Sequence, residues 1–106
     1  MIKFRVQKLD GGGSVLIAEN GTGEINSLRF PYHTHAEGAK EICEEIFAAM
    51  SDAPDAALSI GATAEGELIA VIGNSPLKYE FDYRPEAQRL KKFLCDTLNR
   101  LISQEV

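Results

Sequence analysis

The residue types best suited to chemistry in this 106-residue chain lie together at His33-Thr34-His35, with Tyr32 and Glu37 beside them. In an extended segment, side chains two apart point the same way, so two imidazoles there are placed to share a metal ion. Zinc needs at least a third protein ligand, and the sequence holds no other histidine. A general-base role for either ring would require a nucleophile and an orienting partner, and the sequence designates neither. The plainer reading is a polar lead-in to a helix. No catalytic residue, metal or cofactor is expected, and His33 and His35 stand only as weak metal candidates.

Gly11-Gly12-Gly13-Ser14 has the composition of a phosphate loop but not its context. A phosphate cradle opens a helix whose N–H groups face the anion, usually with a lysine in the motif. Here a strand follows, and the segment reads as a flexible connection.

Charge is uneven along the chain. The net charge of −5 disfavours direct nucleic-acid binding, which rests on neutralising phosphates. Between residues 30 and 77, Glu37, Glu41, Glu44, Glu45, Asp52, Asp55, Glu65 and Glu67 face one base, Lys40. That belt suits a basic protein partner, although a solvated helix face explains Glu41, Glu44 and Glu45 equally well. Arg84, Arg89, Lys91 and Lys92 form a second, positive patch. They fall in the first half of the last expected helix, where positive charge opposes the helix dipole. Such a patch meets either an acidic partner or the acidic flank of the other helix.

The spacing of apolar residues supplies the elements that position these groups. Alternation predicts strands over 2–8, 15–18, 24–30, 57–63, 67–73 and 77–83. Asn20-Gly21, Ala64-Glu65-Gly66 and Asn74-Ser75-Pro76 are the expected turns. Thr34 and Glu37 have the spacing of a capping box, so a first helix is expected after Thr34. Its apolar stripe is Ala39, Ile42, Cys43, Ile46, Phe47 and Met50, and residues 51–55 stop it. A second helix opens at Pro85 with a stripe of Ala87, Leu90, Leu94, Leu98 and Leu101, widened by Phe93, Cys95 and Ile102. The last residues, 103–106, are expected to fray.

The predicted order is βββα-βββα, an α+β fold whose hairpin connections imply a mostly antiparallel sheet of about six strands. Both helices are expected on one face, in a single domain spanning 1–106. The halves share a short string, Leu16-Ile17-Ala18 and Leu68-Ile69-Ala70, which an ancestral duplication would explain. The N-terminus alternates charge and hydrophobe, unlike a signal peptide, and no run reaches the ~18 apolar residues of a membrane span. With two cysteines at core-compatible positions, reduced thiols and a cytoplasmic location are expected.

One problem remains. Leu68 to Ile72 are all apolar, so with both helices on one face Ile69 and Val71 lie opposite them, with either Leu16 and Ala18 or Val15 and Ile17. Three arrangements resolve this. Two copies press these faces together, the sheet curls around a ligand pocket walled by Tyr32, Tyr79 and Tyr83, or the helices take opposite faces. The first makes the protein a non-enzymatic homodimer that works through protein–protein contact. The second makes it a small-molecule-binding domain.

Overall fold

The computed structural model describes residues 2–104. The expected order is present: β1 (Lys3–Lys8), β2 (Ser14–Asn20), β3 (Gly23–Phe30), α1 (His33–Asp52), β4 (Leu58–Ala62), β5 (Glu67–Ile72), β6 (Ser75–Glu80) and α2 (Pro85–Gln104). All strand pairings are antiparallel, and the six strands divide into two three-stranded sheets, β1-β2-β3 and β4-β5-β6. The chain forms two compact units. The first comprises residues up to Glu44 and from Phe93 onward, and the second runs from Glu45 to Lys92.

In the first unit, register places Phe4 opposite Ala18, Val6 opposite Leu16, and Leu16 opposite Leu28, all on one face. Helix α2 lies on that face: the Phe4 and Phe93 rings are 6.4 Å apart. Leu16 and Ala18 are wholly buried, as are Ala36 and Cys43 of α1 and Leu94 of α2. A β-bulge at Ile25 interrupts the β2–β3 register, and its carbonyl accepts a 2.6 Å bond from Arg100 Nη1. Next to it, the Asn26 amide donates to the Phe93 carbonyl and the Thr97 hydroxyl, and Asn26 Oδ1 accepts from Arg100. These bonds fix the end of α2 against an irregular edge.

In the second unit, Leu58, Ile60 and Ala62 share a face with Leu68, Ala70, Ile72, Leu77 and Tyr79. Leu68 and Ala70 are wholly buried there, as are Ala87 and Leu90 of α2. Gln88 donates to the Ala62 carbonyl at the outer edge of β4.

The two units follow one plan. Leu16-Ile17-Ala18 and Gly21 match Leu68-Ile69-Ala70 and Gly73, and the hairpin pairs Asn20–Gly23 and Ile72–Ser75 are equivalent. Beyond the bulge the match continues at a spacing one residue shorter, with Ile25 as the extra residue. Phe30, Tyr32, Ala36 and Lys40 then match Phe81, Tyr83, Ala87 and Lys91. The buried helix positions Ala36, Ala39, Cys43 and Ile46 match Ala87, Leu90, Leu94 and Thr97 on that same spacing. Coincidence of identity, register and burial establishes an internal repeat.

Several local expectations are corrected. Helix α1 starts at His33, before the expected Thr34 cap, and Ala36 N–H reaches the Tyr32 carbonyl instead. Strand β6 starts at Ser75 and ends at Glu80, leaving Phe81 and Tyr83 beyond it. Positive φ in the first hairpin falls on Gly23, while Asn20 Oδ1 accepts from Thr22 N–H. Ile102 is exposed, and Thr97 takes the buried place in its stripe. Ser103 donates to the Asn99 carbonyl within α2, while residues 105 and 106 of the expected frayed end lie outside the described residues.

Two stability outcomes follow from this packing. Leu16→Ala or Leu68→Ala should each lower unfolding free energy by about 3 kcal/mol in urea titration, since each removes a fully buried side chain. Gly38 lies inside α1 with helical φ, and a Cβ there would meet nothing within 4 Å. Gly38→Ala should therefore raise stability by roughly 1 kcal/mol.

Candidate interaction surface

His33 is the residue most changed by the observed fold. Because it opens α1, His33 and His35 diverge around the helix instead of converging as on a strand. His33 Nδ1 lies 2.8 Å from Ser14 Oγ, and its Nε2 lies 3.2 Å from Glu37 Oε1. His35 instead meets Tyr32 edge to face at 5.1 Å. No group of three metal-capable side chains occurs among the described residues. The extended geometry that would let His33 and His35 share a metal is thus absent, because the helix begins at His33.

Serine, histidine and glutamate in a hydrogen-bonded row invite comparison with a hydrolase triad. Sequence reasoning missed this row, since Ser14 and His33 are brought together only by the fold. Ser14 is wholly buried at the start of β2, however, so no substrate can reach its hydroxyl. The row satisfies a buried hydroxyl and fastens the first turn of α1 to β2.

Register decides which apolar residues lie on the helix-free faces. Leu16 and Ala18 point to the covered side and are core residues; they are not surface candidates. Val15 and Ile17 take the other face of the first sheet, and Ile69 and Val71 take the other face of the second. The matched isoleucines differ in exposure. Ile17 is only 4% exposed, while Ile69 and Val71 are half-buried.

Their neighbours explain the difference. Opposite Ile17 stands Arg5, bonded to both Glu19 (3.2 Å) and Gln7 (3.1 Å) along the same face. Held on both sides, its aliphatic stem shields the isoleucine while the charge stays in water. Ile69 lies between Gly61 and Lys78, and Val71 between Ser59 and Pro76. Gly61 has no side chain to offer. An added Cβ there would meet nothing within 4 Å, and its backbone is ordinary strand, so the fold itself does not demand a glycine. A glycine inside a strand often marks a bulge, a tight bend or a place where another backbone or a ligand approaches closely. The same face carries Glu67 directly opposite Glu80, a like-charge pair that weakens the hairpin when alone.

The remaining candidates are scattered. Tyr32 and Tyr83, matched in the repeat, are 63% and 55% exposed at the lead-ins to α1 and α2. Tyr79 lies half-buried on the helix-covered face of β6. In the basic patch, Arg84 and Lys92 are exposed, whereas Arg89 and Lys91 are half-buried. No helix among the described residues is long and apolar enough to cross a membrane.

No family model, curated protein or solved structure matches the chain.

Both cysteines are free. Burial, with a smaller contribution from the Glu44 carboxylate, pushes the Cys43 thiol far above its ordinary range. Cys95 is only half-buried. Alkylation of the native protein should modify Cys95 first, with Cys43 reacting only as fast as the protein opens. Mass spectrometry of tryptic peptides after timed iodoacetamide exposure reads the two rates.

Proposed function

We propose that this is a non-enzymatic cytoplasmic protein that works through protein–protein contact, pairing with a second copy through the β4-β5-β6 face that carries Ile69 and Val71. One observation carries the reading. The repeat places an isoleucine at the same point of both sheets, and only in the second is it left half-buried, beside a glycine the fold does not need. The face is also self-complementary in charge. It bears Lys78 near the paired Glu67 and Glu80, so an isologous contact sets lysine against carboxylate in both directions. Two free thiols and the absence of any cross-link support a reducing compartment.

Size sets the strength. Three strands of about six residues present a face of roughly 14 Å by 20 Å. That is well under the ~800 Å² per partner of a standard interface, so pairing is weak and concentration-dependent.

Sedimentation velocity across a concentration series should show average mass rising from one copy toward two, and Val71→Glu should hold it at one. Gly61→Val supplies a sharper criterion. It fills open space on a strand, so it should leave stability unchanged or raised by up to about 1 kcal/mol while abolishing association. A wild-type protein that stays monomeric throughout refutes the dimer, and a mass increase seen only with an added basic protein assigns the face to a different partner.

A further inference from the structure

A separate pocket of about 250 Å³, open to solvent on one side, lies in the second unit on the helix-facing side of its sheet. Ala49, Asp52 and Ala53 at the end of α1 form one wall, and Ile72, Ser75 and Leu77 of the β5–β6 hairpin form the other. The hydrophobes leave a short apolar slot, with one carboxylate and one hydroxyl in its lining. Asp52 is the last residue of α1, and the last turn of that helix contains no basic residue. A carboxylate there adds to the partial negative charge of the terminal carbonyls, an arrangement that costs helix stability. Among the described residues, no ion pair takes up the Asp52 charge. The cavity is thus apolar in its body, and Asp52 and Ser75 stand exposed at its solvent-facing edge with no protein cation among the described residues beside the carboxylate.

We propose that this cavity binds a small primary ammonium ion carrying a short alkyl chain. The alkyl body replaces water against Ala49, Ala53, Ile72 and Leu77. The ammonium group donates to the Asp52 carboxylate and the Ser75 hydroxyl in the field of the helix terminus. The volume lies below the ~300 Å³ at which drug-sized ligands begin, so the ligand has only a few heavy atoms. A metal ion fits poorly, because Asp52 is the one carboxylate in the lining and hard cations require several oxygens, commonly from more than one carboxylate. An alkyl carboxylate of the same length is repelled.

The test is an NMR titration of the full chain with n-butylammonium, n-butanol and butyrate. Butylammonium should give saturable amide shifts at Ala49, Ala53, Ile72 and Leu77. Butanol should bind about threefold to fivefold more weakly, the range of an exposed ion pair, and butyrate should not bind. Asp52→Asn should erase the preference for butylammonium over butanol, and Ala53→Leu should fill the slot and abolish binding with the fold intact. Equal affinity for butylammonium and butanol in the native protein, or no saturable shift with butylammonium, overturns the proposal. The site lies on the opposite side of the sheet from the dimer face. Val71→Glu should therefore leave the titration unchanged, and failure of either proposal is visible without the other.

Discussion

Leu16 and Ala18 in β2, like Leu68 and Ala70 in β5, are shut away from water completely, and since pleating sets them on one face of each sheet, that face must be covered. Full burial of a leucine contributes about 1.5–3 kcal/mol, so these positions weigh heavily in a chain of this size. The covering helices answer in kind. Ala36, Ala39, Cys43 and Ile46 in α1 and Ala87, Leu90, Leu94 and Thr97 in α2 recur at helical spacing and are all buried. Small residues lead both stripes, allowing close approach at the start of each helix, and larger ones follow. His33 joins this scheme through its place on the backbone, bound to Ser14 on one side and Glu37 on the other.

The internal repeat makes the differences between the halves interpretable. Where the plan is shared, the common explanation is core packing. Where it departs, a local cause is present. The bulge at Ile25 frees a carbonyl that Arg100 occupies, and Thr97 replaces an apolar residue where Asn26 supplies an amide. Arg5 stands opposite the buried Ile17, whereas Gly61 stands opposite the half-buried Ile69. Two copies of one motif thus differ both at the contact between β3 and α2 and on the sheet faces turned away from the helices.

The fold class, the order of elements and most of the core were legible in the sequence, because burial on one side imposes a period of two on strands and 3.6 on helices. The division into two sheets was not, since periodicity records which side of a strand is buried and not which strands are neighbours. Thr34 and Glu37 misled because a cap is recognised by spacing, and spacing cannot reveal that His33 already has partners in Ser14 and Glu37. Leu16 could not be told from Ile17 as the inward residue while both faces of β2 read as apolar. Register against Phe4 and Leu28 separated them. The cavity beside Asp52 escaped notice for a related reason: its two walls are distant in sequence.

Edge strands bear on how the molecule behaves at high concentration. Lysines and an arginine line β1, a proline and a lysine sit on β6, and side chains from α2 occupy carbonyls of β3 and β4. Growth of a ribbon by adding strand to strand has no ready starting point. Contact through a sheet face, by contrast, ends once two faces have met. Any self-association of this chain is therefore steered toward closure rather than fibres, and its apolar β surface can remain open without seeding polymers.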